Sequence, residues 1–228
     1  TGLEVNVYGV PAYSTLGYSN WLGGDPLLST FIDWPEGDFV RLLLHELAHQ
    51  QVYAAGDTAF NESYATAVER LGVRRWLQLH ATPAARAQFA ASEERRAEFR
   101  ALTRDTRARL AAIYASNTDA APDYQSLAAS KSEAMARFHA GYALLRERWL
   151  AAHTPAAQLA PLDKWVREAN NASFAAQGAY DDLVPGFVAL FEREGRDWPR
   201  FHAAVRVLAR QPQAERDAAL KTLAPPGA

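Results

Sequence analysis

The spacing of hydrophobic positions changes near residue 37. Before it, apolar and polar residues alternate, as in LEVNVYGV at positions 3–10, and this two-residue period is typical of a β-strand. AYSTLG (12–17) and PLLSTFI (26–32) fit two further short strands. From Gly37 onward, apolar residues recur every three or four positions, which predicts helices. The predicted fold class is therefore mainly α, formally α+β, with a short β-rich amino-terminal region.

The first predicted helix runs from Gly37 to about Ala55. The residues GDT (56–58) interrupt it, and Asp57 or Thr58 can cap the helix that follows. DWP at 197–199 predicts another helix start, with Asp197 as the cap. Two or three short helices are predicted after residue 161, with breaks near 178, 185 and 195. The other predicted elements are helices over 61–80, 82–114 and 130–153 and loops over 115–126 and 154–161.

The chain length of 228 residues suits one large domain. We predict a single domain over 1–228, made of a β-rich edge region (1–36), a pair of helices (37–80) and a helical subdomain (81–228). The chain opens with TGLEV and no methionine, which suggests that an upstream segment precedes it.

Composition limits the partners and the chemistry. The net charge is −2, so no overall positive field attracts nucleic acid. No run of about 18 apolar residues is present, so no transmembrane segment is predicted. The chain has no cysteine, so a metal ion would have to be held by histidine, aspartate or glutamate.

The stretch LLLHELAHQQV (42–52) carries the strongest chemical signal. His45 and His49 are four residues apart, so on a helix both imidazoles lie on one face and can bind one ion. Glu46 is rotated by about 100° from His45, where it can reach a water on that ion as a general base. This is the HExxH arrangement of zinc hydrolases. A chance match on an apolar helix is the plain alternative.

A catalytic zinc ion normally has three protein ligands. The next predicted helix, in AFNESYATAVER, offers Glu62 and Glu69, which are seven residues apart and therefore lie on nearly the same face. If the chain reverses near Asp57, residue 65 of the next helix lies level with His49. Glu62 and Glu69 then lie on either side of that level, each about one helical turn away. Spacing alone therefore leaves both residues open as the third ligand.

HELAH followed by NESYA resembles the gluzincin metallopeptidases, and about 70 residues around it resemble a bacterial family of zinc aminopeptidases. The resemblance implies that Glu62, the glutamate after Asn, is the third zinc ligand. Better-known gluzincins have roughly eighteen or nineteen residues between the second histidine and this glutamate, a spacing that favours Glu69. We prefer Glu62 as the third ligand. Glu69, and more weakly Thr66, would then accept a hydrogen bond from the spare N–H of a ligand histidine.

The same resemblance implies a zinc-dependent peptide-bond hydrolase, and more narrowly an aminopeptidase, with Zn²⁺ as cofactor and a peptide as substrate. Glu46 would act on the attacking water, and Tyr180 would stabilise the oxyanion, with Tyr114, Tyr142 and His139 as alternatives. An edge strand would pair with the substrate backbone through Tyr13, Ser14, Thr15, Leu16 and Gly17; an ordinary turn is the alternative there.

The resemblance also suggests a place in the bacterial periplasm or envelope. The competing interpretations are a metal-binding but inactive envelope scaffold and a helical interaction domain with a chance motif.

Overall fold

The structure is a computed structural model of the chain, and it describes residues 4–7, 31–116 and 124–225, without the side chains of residues 178–180. Within these ranges the regular secondary structure is helical. The helices are α1 (Glu36–Gln51), α2 (Thr58–His80), α3 (Pro83–Ala115), α4 (Tyr124–Ala151), α5 (Ala156–Glu168), α6 (Asn171–Asp181), α7 (Val184–Arg193), α8 (Trp198–Ala209) and α9 (Gln213–Leu223). None of these helices is both long and apolar enough to cross a bilayer.

The prediction of an α+β fold with a β-rich amino-terminal region is wrong, because the described residues contain no strand and no sheet. Residues 4–7 have no regular secondary structure, and Val5 and Val7 are 72% and 88% exposed. Alternation describes which side chains share a face, but a strand also needs a neighbour for its backbone groups. Here the Val5 carbonyl accepts a hydrogen bond from the Asn170 side chain instead. Residues 31 and 32, the end of the third predicted strand (26–32), lie in a turn.

The helical predictions are confirmed in several places. Asp57 caps α2 by accepting a hydrogen bond from the Phe60 amide, and Asp197 caps α8 in the same way. The loop predicted over 154–161 is wrong from residue 156 onward, because α5 begins there and contains Pro161. Leu159 and Val166 on α5 are buried in an apolar cluster, and this burial outweighs the local breaking effect of the proline.

The chain divides into two compact units. Unit 1 comprises Thr1–Val7 and Ala90–Ala176, and unit 2 comprises Tyr8–Phe89 and Gln177–Ala228. The core of unit 1 comes from α3, α4, α5 and α6 and includes Phe138, Trp149 and Phe174. The largest core of unit 2 joins α1 and α2 to α7, α8 and α9. All the histidines and glutamates of the predicted metal site belong to unit 2.

Candidate metal site on helices α1 and α2

A six-residue connection, residues 52–57, joins α1 to α2 and reverses the chain. Gly56 in this connection has φ of 78°, a backbone conformation that favours glycine. The two helices pack closely because Gly72 on α2 faces Leu44 on α1. A Cβ atom added at Gly72 would lie 2.8 Å from Leu44 Cδ1. The short connection brings the first turns of α2 beside the last turns of α1.

Asn61 fixes the connection to the start of α2. Its Oδ1 accepts a hydrogen bond from the Ala54 amide at 2.8 Å, and its Nδ2 donates to the Ala54 carbonyl at 2.8 Å. These two bonds are buried and satisfy both backbone groups of Ala54. The asparagine that precedes Glu62 therefore has a structural task, which is to hold the α1–α2 connection against α2.

Helix α9 also holds the start of α2. Arg216 and Asp57 form a buried ion pair, with 2.8 Å from Nε to Oδ2 and 2.7 Å from Nη2 to Oδ2. The guanidinium donates further to the carbonyls of Ala209 and Gln211 and lies 5.3 Å from the Phe60 ring centroid. The N-cap residue of α2 is thus tied to the carboxyl-terminal helix.

These constraints bring His45, His49 and Glu62 together. Glu62 Oε2 lies 3.2 Å from His45 Nε2, and Glu62 Oε1 lies 3.9 Å from His49 Nε2. The two imidazole rings are nearly perpendicular, with centroids 5.0 Å apart. One potential ligand atom from each of the three residues lies within 4.8 Å of the other two.

This donor set fits a divalent metal ion. Ligand atoms about 2.0–2.2 Å from a tetrahedral ion lie roughly 3.4 Å from one another. The contacts of Glu62 with the two histidines bracket that value, so small side-chain rotations would complete the site. Two imidazole nitrogens and one carboxylate oxygen are also typical of a catalytic site that keeps an open position. The three residues can therefore hold a metal ion.

Glu69 contacts the opposite side of the His45 ring. Its Oε2 lies 3.0 Å from His45 Nδ1. A carboxylate only accepts hydrogen bonds, so Nδ1 carries the hydrogen and donates to Glu69. In the neutral ring, Nε2 then presents its lone pair towards His49 and Glu62. Glu69 is itself approached by Arg41 Nη1, which lies 3.6 Å from its Oε1.

The electrostatics of the cluster favour a positive charge between the two helices. Burial lowers the pKa of His45, but the hydrogen bonds and charges of Glu62 and Glu69 outweigh burial and raise it to about 9. A site that stabilises a proton so strongly also stabilises a cation. Burial lowers the pKa of His49, and a charged His45 lowers it further, so His49 is neutral at pH 7 and available as a ligand.

His49 differs from His45 in the surroundings of its Nδ1 atom. Its Nδ1 is buried and, among the described residues, lacks a hydrogen-bond partner. Leaving a buried polar atom unpaired costs roughly 1–3 kcal/mol. Glu69 orients His45, whereas within the described ranges no hydrogen bond orients His49, so an ion at its Nε2 would hold this ring.

Other residues that the sequence singled out are placed less fully. Glu46 is half-buried one position after His45 on α1. Thr66 is buried on α2, and within the described ranges its hydroxyl makes no hydrogen bond to either histidine. Tyr180 belongs to the last turn of α6, but its side chain lies outside the described part, as do residues 13–17.

The alternatives to Tyr180 all belong to unit 1, where each contacts other residues. Tyr142 donates to Asp163, His139 Nε2 lies 3.3 Å from the Val166 carbonyl, and Tyr114 Oη accepts from Asn171. The sequence reasoning missed Arg41, although its position four residues before His45 places it on the same face of α1 and could have revealed it. It also missed the roles of Asn61 and Arg216.

Comparison with known proteins gives a family and nothing closer. No curated protein and no solved structure matches the chain. A family described as “Putative aminopeptidase” matches residues 1–220 and so includes both helices of the candidate metal site. The chain therefore belongs to this aminopeptidase family.

Proposed function

We propose that this protein is a zinc-dependent aminopeptidase. The observation that supports it most directly is the placement of both Glu62 oxygens against the Nε2 atoms of His45 and His49, in a chain of an aminopeptidase family. The zinc ion would be held by these three residues. When bound, it supplies a Lewis acid that polarises a carbonyl and lowers the pKa of water from about 15.7 towards 7.

The residues of the chain have distinct tasks in this proposal. Glu46 takes a proton from the attacking water while the water oxygen forms a bond to the peptide carbonyl carbon. The same carboxyl then gives the proton to the amide nitrogen as the C–N bond breaks. Glu69 keeps the hydrogen on His45 Nδ1 and thereby directs Nε2 towards the ion.

Tyr180 is the proposed donor to the developing oxyanion. Its neighbour Asp181 pairs with Arg70, with 2.6 Å between Asp181 Oδ1 and Arg70 Nη2. Arg70 directly follows Glu69 on α2, so this ion pair holds the last turn of α6 close to the part of α2 that contacts His45. This proximity supports Tyr180 as the donor.

The proposal is tested with Glu46→Gln and a matched control, Glu36→Gln, which makes the same change in the first turn of α1. Zinc content is measured by elemental analysis, and turnover is measured on peptides with free and with acetylated amino ends. We expect Glu46→Gln to keep about one zinc per chain and to lose about 10²–10⁴-fold in kcat, the usual contribution of a general base. Glu36→Gln should keep both zinc and turnover.

Each other outcome contradicts part of the proposal. A protein that holds zinc but cleaves no peptide, and whose Glu46→Gln variant has unchanged properties, would be a metal-binding scaffold. Equal cleavage of free and acetylated peptides would identify a peptidase without a preference for free amino ends. A protein without metal that stays without metal after incubation with zinc would refute the site itself.

A further inference from the structure

A cavity of about 590 Å³ lies in unit 2, apart from the metal cluster. It is formed by α1, α2 and α8, and none of His45, His49, Glu62 or Glu69 lines it. Of its four lining residues on α1, Leu44, Leu47 and Gln51 are rotated by about 100° or more from His45, and Ala48 is rotated by about 60°. The volume is within the roughly 300–1,000 Å³ of pockets that bind small organic ligands.

The walls of the cavity are mostly apolar. Leu44, Val68, Trp76 and Trp198 contribute leucine, valine and indole surface. Leu47 and Leu79 also line it and are 51% and 57% exposed. Large apolar side chains that stay exposed beside a concave surface are typical of a binding site for an apolar ligand.

The polar residues that line the cavity are Gln51, Arg75, His80 and His202, and no acidic residue is among the described residues that line it. Arg75 is exposed and, within the described ranges, forms no hydrogen bond or ion pair, whereas Arg70 on the same helix pairs with Asp181. This guanidinium can therefore bind an anionic group of a ligand without first giving up a partner.

His202 adds a donor of known tautomer. Its Nδ1 lies 2.7 Å from the Tyr64 hydroxyl, and Tyr64 is fully buried, so the hydroxyl hydrogen needs this acceptor. Burial raises the pKa of Tyr64, which keeps the hydroxyl protonated, and burial lowers the pKa of His202, which keeps the imidazole neutral. The hydrogen of the imidazole is then on Nε2. The ring stacks on Trp198, with centroids 5.7 Å apart.

We propose that this cavity binds a small organic anion with one apolar chain, such as a medium-chain carboxylate. The chain occupies the leucine and tryptophan surface, and the carboxylate accepts hydrogen bonds from Arg75 and from His202 Nε2. The assignment is independent of the proposed peptidase activity, because the cavity shares no residue with the metal cluster.

The test uses three probes with alkyl chains of seven or eight carbons that differ in their head groups: octanoate, octanol and octyltrimethylammonium. Binding is measured by calorimetry and by the fluorescence of the indoles, on the full chain. We expect octanoate to bind most tightly and the ammonium compound most weakly. Arg75→Ala should weaken octanoate about tenfold, the scale of one charge-assisted hydrogen bond, and leave octanol unchanged.

Arg74→Ala is the matched control, because Arg74 is also exposed on α2 and also lacks a described partner but does not line the cavity. It should leave octanoate binding unchanged. A second variant, Leu79→Glu, introduces a negative charge at an exposed lining position, where it should not disturb folding. It should weaken octanoate and strengthen the ammonium probe.

A carboxylate can also coordinate a metal ion, so octanoate binding is measured again on chelator-treated protein. The cavity proposal requires the affinity to persist, whether or not the metal site proves functional. Equal affinity of the three probes, equal losses for Arg75→Ala and Arg74→Ala, disappearance of binding after chelation, or absence of saturable octanoate binding would each overturn the proposal.

Discussion

Replacing Glu62 and Glu69 one at a time with glutamine distinguishes a metal ligand from a residue that orients a ligand. Glutamine keeps the size of the side chain and one acceptor oxygen but removes the charge. Glu62 has both oxygens directed at the Nε2 atoms of His45 and His49, whereas Glu69 contacts only His45 Nδ1. If the ion lies among the Nε2 atoms, the two substitutions have unequal effects on its affinity.

We expect Glu69→Gln to weaken zinc binding about tenfold and Glu69→Ala about a hundredfold, because outer hydrogen-bond partners of metal ligands are worth roughly 10–100-fold in affinity. This range corresponds to about 1.4–2.7 kcal/mol. The glutamine variant lies at the lower end because its oxygen can still accept from Nδ1–H. Glu62→Gln should exceed the whole range, because it removes the anionic ligand itself.

The assay is competition with a fluorescent zinc chelator at constant pH and ionic strength. Glu36→Gln serves as the control for loss of a carboxylate on α1, and circular dichroism checks that each variant is folded. A loss for Glu69→Gln equal to or larger than that for Glu62→Gln would refute the reasoning. It would show that Glu69 coordinates the ion and that Glu62 supports it.

Two further predictions concern the stability of the same unit. In metal-free protein, the pKa of His45 is raised to about 9 from an ordinary value near 6.5. The charged imidazole therefore stabilises the fold fully below pH 6.5, and this stabilisation is lost as the pH rises through 9. In denaturant unfolding, the free energy of unfolding should fall by up to about 3 kcal/mol between pH 6 and pH 10, at roughly 1.4 kcal/mol per pH unit. The His45→Gln substitution should remove this pH dependence. Arg216→Met leaves Asp57 buried without its cation and should lower the free energy of unfolding by about 3–5 kcal/mol in the same assay, whereas Arg216→Met combined with Asp57→Asn should recover part of the loss. An unchanged unfolding midpoint for Arg216→Met would contradict the importance of this ion pair.

Local rules account for the parts of the site that lie on a single helix. The period of apolar residues predicted α1 and α2, and capping preferences offered Asp57 or Thr58 as the cap of α2, of which the structure uses Asp57. Because residues four apart share a face of any α-helix, the spacing of His45 and His49 was enough to predict that their rings are neighbours.

Local rules failed where an element depends on distant partners. Among the described residues, the alternation at positions 4–7 has no sheet to join, and Val5 and Glu4 accept hydrogen bonds from the Asn170 side chain and the Asn171 amide instead. The proline in α5 and the polar residues around it resemble a loop locally. The helix forms because Leu159 and Val166 are buried among helices far away in the sequence.

The sequence by itself determined that two histidines and a glutamate share one turn of a helix, and that two further glutamates follow on one face of the next helix. Which glutamate reaches both histidines depends on how far α2 is shifted along α1. That shift is set by the six-residue connection, by the two hydrogen bonds between Asn61 and Ala54, and by the ion pair between Arg216 and Asp57. Only the tertiary structure could decide it, because about two helical turns, roughly 10.5 Å, separate Glu62 from Glu69, and no local propensity measures how far α2 is shifted along α1.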